Sequence, residues 1–492
     1  MTKHMKRIIA SLLLVVVLLT GMISTLTSCD LFRNKNNTAA DFVMPEGGFD
    51  TESTITIKFY HSMGANLQEV LNRAIAEFNL LYPNILIEHE SLGDYDGVRN
   101  QIQTEVTVGG QPNLAYCYPD HIAVYNESGA VQTLDTLMSS DVVVTRADGT
   151  TETIGYTQAQ LDDFIQAYLN EGRAFGDDKL YSLPISKSTE VLYYNKTFFE
   201  QHNLTVPTTW DEMAQVCEQI KAIDPTCIPL GYDSESNWFI TMCEQYGSDY
   251  TSATGENFLF NNETNRSFVN MFRTWYEKKW VTTEALSGGY TSNLFTGKSS
   301  SSTDSKVPAG TRCYMCIGST GGASYQQPTL TNGVPEFEVG IVSIPQVNPE
   351  APKVISQGPS VCIFKKDNPQ EVLATWLFAK FLTTNHSFQA AMSMTNGYAP
   401  VIKSVSENEV YSEFLASAST IGIQAYAVKV ALEQEKAYYS SPAFNGSSVA
   451  REQVGLLIQK CFTINEGKIL TDEDLKKIFQ EYVDECKYQS GL

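Results

Sequence analysis

Positive charge is scarce in this sequence. Lys and Arg number 34 against 56 Asp and Glu, a formal net charge of −22 over 492 residues. So acidic a chain offers no basic footprint for a nucleic acid or a polyphosphate. Histidine is scarcer still, six in all, and His61, His89, His121, His202 and His386 form no H-E-x-x-H or related metal-ligand pair. Beyond the N-terminal segment no apolar run reaches the roughly 18 residues of a spanning helix. The phosphate loop suggested by Gly297-Lys298-Ser299 lacks its first glycine, because Ser292 stands there. Gly318-Ser319-Thr320-Gly321 lacks the glycine of a nucleophile elbow, because Ile317 precedes it. Cys313 and Cys316 have no second cysteine pair and no neighbouring histidine, which argues against zinc. No cofactor is implied, and no reaction motif survives. The acids are so numerous that a glycosidase-like carboxylate pair is not excluded by counting, but nothing singles one out.

What is present describes a large globular protein. Hydrophobic residues make up 42% and charged residues 18%, and the length calls for two compact units or one composite. Tyr numbers 25, a stock suited to ligands with flat or CH-rich faces and equally to cores and rims. Cys217, Cys243 and Cys461 fall on apolar helical faces and read as core, whereas Cys227 and Cys486 read as more exposed. Whether any of the cysteines pair is left open.

The start of the chain is a targeting segment. Lys3, Lys6 and Arg7 precede an apolar run over 8–19, too short to span a bilayer. Leu26-Thr27-Ser28-Cys29 looks like a bacterial lipobox, in which small residues admit the signal peptidase and the Cys29 thiol takes a diacylglycerol. Residues 1–28 are therefore expected to be a lipoprotein signal peptide. Cys29 is the expected lipidation site, and 29–50, rich in Asn, Gly and Thr without periodicity, the expected flexible tether.

Strands and helices then alternate. Residues 54–60 alternate apolar and polar side chains, a strand pattern. Leu67, Val70, Leu71, Ala74, Ile75 and Phe78 share one helical face. Further strands are predicted over 85–90, 113–118, 180–185, 191–194, 312–318, 335–344 and 360–364. Thr209-Trp210-Asp211-Glu212 reads as a capping box opening a helix, and Pro369 as the first turn of another. The alternation predicts an α/β fold with helices on the faces of the sheets.

These segments occur in the order found in family 1 extracellular solute-binding proteins, the receptors of ABC sugar importers. The resemblance is carried by Phe59-Tyr60-His61-Ser62-Met63, Gly93-Asp94-Tyr95-Asp96, Gly109-Gly110-Gln111-Pro112-Asn113, Tyr118-Pro119-Asp120, the run over 183–196, Thr209-Trp210-Asp211-Glu212, Met315-Cys316-Ile317-Gly318-Ser319, Gly358-Pro359-Ser360 and Asn396-Gly397-Tyr398-Ala399-Pro400. The chain is most similar to the glycerol-3-phosphate-binding and multiple-sugar-binding branch. The resemblance implies two discontinuous lobes with central mixed sheets joined by hinge strands, in the manner of type II periplasmic binding proteins. Carried over, lobe one takes 51–175 plus 318–360, and lobe two takes 176–317 plus 361–492. The Ser-rich stretch 299–308 looks like an insertion.

The resemblance also implies a function. A lipid-anchored receptor on the outer face of a bacterial membrane, acting as a monomer and not as an enzyme, would capture a carbohydrate between its lobes. It would deliver that sugar to an ABC transporter permease. Ligand contacts carried over are Tyr95, Asp120, Ser188, Trp238, Ser319, Gly358 and Tyr398, with Tyr60 and His61 near the same cleft. Rings for C–H faces and polar groups for hydroxyls suit a sugar. The glycerol-phosphate branch carries an Arg before its C-terminal turn, whereas here no Arg follows Ser440 until Arg451. That departure favours a neutral sugar over glycerol phosphate or its diesters. A surface glycoside hydrolase or lyase is the alternative from another class.

Overall fold

The computed structural model describes residues 41–298, 307–464, 467 and 469–492. The signal peptide, Cys29 and most of the 299–308 insertion lie outside the described residues.

The first sheet has the strand order Ile85–Ser91, Ile55–His61, Leu114–Cys117, Ser360–Ile363, Leu183–Pro184. Its first three strands run parallel and the last two pairings are antiparallel. Strand Ile55–His61 buries Ile55, Ile57 and Phe59 in alternation. Helix Ala65–Leu81 lays Leu67, Val70, Leu71, Ala74 and Phe78 in the core, which is the face read from the sequence. Helix Pro369–Thr384 is buried nearly all round, and its Trp376 Nε1 donates to the Ile154 carbonyl at 2.7 Å.

The second sheet has the order Val339–Ser343, Glu190–Asn195, Met315–Ser319, Leu230–Tyr232, Val281–Thr283. The predicted capping box is present: Glu212 N–H donates to Thr209 Oγ1, and Thr209 N–H to the Glu212 carboxylate, opening helix Trp210–Ile223. Helices Glu235–Tyr246, Glu263–Glu277, Ser447–Thr463 and Asp472–Ser490 complete this aromatic-rich core.

Strand pairing corrects the expected lobe boundaries. Residues 318–360 were assigned to lobe one, yet Met315–Ser319 and Val339–Ser343 both pair with Glu190–Asn195 of the second sheet. Residues 361–492 were assigned to lobe two, yet Ser360–Ile363 pairs with Leu114–Cys117. Val372, Trp376, Phe388, Val401 and Tyr411 pack in the first core. Leu180, Leu183 and Ile185 also belong to the first core, so the first crossing comes after 185 rather than at 176. Alternation identifies a strand without naming the sheet it joins; that choice is made by distant partners.

Residues 41–50 are not a free tether. Phe42 and Phe49 are buried in the first core, and the Gln370 amide donates to Gly48 O and accepts from Asp50 N–H. Two isolated aromatics anchor the segment without any periodicity. Cys227 and Cys486, expected to be exposed, are buried, and all nine cysteines among the described residues are free thiols. Among the described residues, no helix is long and apolar enough to cross a membrane.

Candidate functional site

The lobes are joined by paired backbone. Lys187 N–H donates to Ala399 O at 3.1 Å and accepts Ala399 N–H on its own carbonyl at 2.6 Å. Ser188 and Gln357 exchange backbone bonds of 2.7 and 3.0 Å. Gly358 sits there with φ +102°, and a Cβ would fall 2.8 Å from Ser186 O and 3.0 Å from Lys187 Cα. Both the backbone angle and the close approach therefore require glycine. Beneath this crossing the fully buried Lys187 Nζ donates to Glu171 Oε2 at 2.5 Å, and to Gly358 O and Ser360 Oγ at 3.1 Å each.

Above the crossing lies a cavity of about 790 Å³ with one wall from each lobe. The first-lobe wall is set by two helix starts. Asp94 Oδ1 accepts from Gly97 N–H at 2.7 Å, which places Tyr95 at the first position of helix Tyr95–Val106. Pro119 opens helix Pro119–Tyr125 and leaves Asp120 and His121 in its first turn. The Tyr95 and Tyr118 rings meet with centroids 4.5 Å apart, making an aromatic face. Glu171, Ser356 and Gln357 form the floor.

The second-lobe wall comes from helices Glu235–Tyr246 and Ser447–Thr463 and from Tyr250. Ser234 caps the former by accepting from Asn237 N–H at 3.2 Å, turning Asn237 to the cavity. Arg451, one turn into the latter, donates from Nη1 to Asn237 Oδ1 at 2.6 Å. Asp120 and Arg451 line the cavity from opposite lobes without forming an ion pair with each other. A carboxylate acceptor and a guanidinium donor left apart in this way can each take a ligand group.

The residues expected from the sequence fare differently. Tyr95 and Asp120 line the cavity. Tyr398 stands behind it. A Cβ on Gly321 would fall 2.9 Å from its ring. Ser188 and Gly358 belong to the crossing and are not among the lining residues. Ser319 Oγ accepts from Gly321 N–H at 3.1 Å, capping the short helix Thr320–Gln326 rather than lining the cavity. Trp238 is a correction. It is wholly buried in the second core, with its ring centroid 3.9 Å from Phe272 and 4.9 Å from Tyr232. Successive helical residues point about 100° apart, so with Asn237 on the cavity Trp238 turns inward. Tyr60 donates to Glu105 and His61 pairs with His89, both outside the cavity lining.

Most lining residues are not among the contacts expected from the sequence, His121, Tyr250 and Arg451 among them. His121 is 5% exposed and its Nδ1 has no hydrogen-bond partner in the protein; Tyr250 is 7% exposed and its hydroxyl has none either. Burial holds the His121 imidazole below its ordinary pKa and so neutral near pH 7. Arg451 lies past the position at which the resemblance places an Arg. The only signal for it was its place one turn after Gly446 at a helix start.

Among curated proteins the chain is 26% identical over 199 residues to the multiple sugar-binding protein of Streptococcus mutans. It is 26% identical over 189 residues to the sn-glycerol-3-phosphate-binding periplasmic protein UgpB of Escherichia coli K12. Each match covers about two fifths of both sequences: 39% and 40% for the first, 38% and 39% for the second. The fold is similar to that of the cyclic alpha-maltosyl-1,6-maltose binding protein from Arthrobacter globiformis. There the TM-score is 0.65 at 15% identity, over 88% of this chain and 99% of that one. It is also similar to UgpB from Mycobacterium tuberculosis in complex with glycerophosphocholine, with TM-score 0.66 at 17% identity, over 89% and 98%. The bacterial extracellular solute-binding protein family matches residues 73–417, and the chain belongs to that family.

Proposed function

We propose that the protein is a receptor that captures a carbohydrate between its lobes and hands it to an ABC transporter permease. The observation that carries this reading is the composition of the cavity: the Tyr95–Tyr118 ring face beside Asp120, with Arg451 unpaired to Asp120 on the other wall. Such a site gives a sugar ring a stacking face and supplies both a donor and an acceptor for its hydroxyls. The relatives' names point the same way, one to multiple sugars and one to cyclic alpha-maltosyl-1,6-maltose. Contacts to both lobes favour the closed state, and the permease reads that state. The lipobox over 26–29 supports acylation of Cys29 and a place on the outer face of the cell membrane.

One observation favours a second reading. Arg99 and Arg451 both line the cavity, so the guanidinium found missing from the expected sequence position is supplied from elsewhere. A glycerol phosphate or its diester is the ligand on that reading, in keeping with the name of the Escherichia coli relative. A thermal-shift screen of the purified chain separates the two. A ligand at about 100 times its Kd adds about 2.7 kcal/mol of stability. Stabilisation by neutral oligosaccharides supports the first reading, stabilisation by glycerol phosphates alone supports the second, and stabilisation by neither refutes both.

A further inference from the structure

Behind the second-lobe wall of the cavity lies a carboxyl that does not line it. Glu190 opens strand Glu190–Asn195 directly after the crossing and is 1% exposed. Both of its oxygens are engaged. Tyr232 donates its hydroxyl to Oε2 at 2.6 Å, and Asn237 Nδ2 donates to Oε1 at 3.0 Å. The second hydrogen of that amide goes to Gln357 Oε1 at 2.9 Å, so Asn237 Oδ1 is left to accept from Arg451 Nη1 at 2.6 Å. The amide cannot flip without setting its N–H groups against the guanidinium. One carboxamide therefore separates a buried carboxyl from a guanidinium that lines the cavity, with its dipole aligned between them.

Charged groups reach Glu190 from two sides. The Asp233 carboxylate, just past strand Leu230–Tyr232, opposes its ionisation, and the Arg451 guanidinium favours it. The Tyr232 and Tyr439 phenols also face it and are held neutral by burial. Burial is the largest influence and brings the carboxyl up to about 7. A proton can be taken up without rearrangement. A phenol oxygen donates or accepts, so Oε2 keeps Tyr232 as partner in either state, and Oε1 accepts from Asn237 in both. What changes is charge. The carboxylate offsets Arg451 from behind; the carboxylic acid does not.

We propose that Glu190 is the titrating counter-charge of Arg451, and that its protonation tunes the cavity toward anionic ligand groups as pH falls. The inference takes the cavity as the ligand site, as above, and goes beyond both readings of the ligand by making the charge it accepts depend on a proton. An anion on Arg451 repels the carboxylate and is held best when Glu190 is protonated. It therefore binds with proton uptake, and more tightly below pH 7 than above it. A neutral sugar brings no charge to couple, so its affinity is not set by this proton.

The test compares the wild type, Glu190→Gln and Arg451→Ala. Sulfate is the anionic probe, because its own charge is constant near neutral pH, and maltotriose is the neutral one. The first measurement needs no ligand. The protonated Glu190 carboxyl is identified as the infrared C=O band lost in Glu190→Gln, and its titration is followed with pH. The midpoint should lie at about 7 in the wild type and move up by about one pH unit in Arg451→Ala, where the cation that favours the carboxylate has gone. A merely structural carboxyl would not respond to residue 451, so an unmoved midpoint overturns the inference. The second measurement is calorimetric. Sulfate should bind the wild-type chain about fivefold or more tightly at about pH 6 than at about pH 8, taking up a proton, and Arg451→Ala should lose this binding. Glu190→Gln should bind it with little dependence on pH. The His121 imidazole, also on the cavity wall, is common to both chains, so the difference between their profiles belongs to Glu190. The same pH dependence in Glu190→Gln, or no sulfate binding to the wild type at about pH 6, overturns the inference. Maltotriose tests a different claim: its failure to bind counts against the carbohydrate reading and leaves the infrared and sulfate results to decide this one.

Discussion

Arg99 of the first lobe donates from Nη1 to Ser448 Oγ of the second at 3.2 Å, while the same nitrogen lies 3.1 Å from Asp96 Oδ1. The bond joins residues on the two walls of the cavity, so it exists only when the walls are close. A charge-assisted, partly exposed bond of this kind contributes about 1 kcal/mol, roughly a factor of five in a two-state ratio. Arg99→Ala should therefore shift the unliganded chain toward an open form and weaken ligand binding by a similar factor. Small-angle scattering of the unliganded variant should show a larger radius of gyration than the wild type. An unchanged radius would show that Arg99–Ser448 does not bias closure.

Trp238→Ala should damage stability rather than binding. The side chain is wholly buried against Tyr232 and Phe272, and its removal leaves a large cavity in the second core. The expected cost is about 3–5 kcal/mol, seen as a lower denaturation midpoint. Affinity measured at low temperature, where the variant stays folded, should be close to wild type. A normal midpoint with lost binding would return Trp238 to the ligand site.

How much was legible in the sequence can be argued from residues such as these. Period-two and period-3.6 patterns located Ile55–His61, Ala65–Leu81 and the Thr209 capping box, because those signals are local. Sheet membership was not legible. Ser360–Ile363 carries no mark saying that it joins Leu114–Cys117 rather than Glu190–Asn195. The same limit explains the site. Tyr95 and Asp120 follow strands at helix starts, where chain order alone places them at the cleft. Which of Asn237 and Trp238 faces the ligand depends on a rotation of about 100° that motif matching does not read. His121 and Tyr250 are unremarkable in sequence; only packing brings them to the cavity wall.

Acid should destabilise the fold partly through His61. Met63 N–H donates to its Nδ1 at 3.1 Å, so Nε2 carries the proton and donates to His89 Nδ1 at 2.9 Å. Burial, and then the neighbouring His89, hold its pKa down to about 4 against an ordinary 6.5. Between these values the unfolded chain binds more protons than the folded one. This contribution is therefore complete above pH 6.5 and is lost as pH falls toward 4, by about 3 kcal/mol. His61→Asn keeps an acceptor for Met63 N–H and removes the titration. Denaturation midpoints of the variant should fall less steeply between pH 6.5 and 4, and parallel curves would exclude His61 as a source of the acid sensitivity.

Glu190 should act with the opposite sign. Burial raises its carboxyl to about 7, against bonds from Tyr232 and Asn237 that lower it; Asp233 raises it and Arg451 lowers it. Between 4.5 and 7 the folded chain binds the extra proton, so this contribution is present below pH 4.5 and lost as pH rises through 7. Glu190→Gln, neutral at every pH, should show a smaller loss of stability between pH 5 and 8 than the wild type in denaturant titrations. An identical slope would show that the carboxyl does not titrate in this range.

The Lys187–Glu171 pair beneath the crossing gives the sharpest test of what holds the lobes together. Both side chains are almost fully buried, and Lys187 also donates to Gly358 O and Ser360 Oγ, so its three ammonium hydrogens are spent within the crossing. Desolvating two charges costs about as much as their attraction returns, so the pair need not contribute net stability. Removing one partner is different, because it strands a charge in the interior. Glu171→Gln and Lys187→Met should each destabilise the fold by about 3–5 kcal/mol. The double variant should lose less than the two added together, since neither charge is then left alone. Glu171 also lines the cavity floor, so ligand affinity of the double variant reports whether the carboxylate is read by the ligand or only by Lys187. Near wild-type affinity in the folded double variant assigns Glu171 to the crossing alone, and a large loss assigns it to the ligand as well.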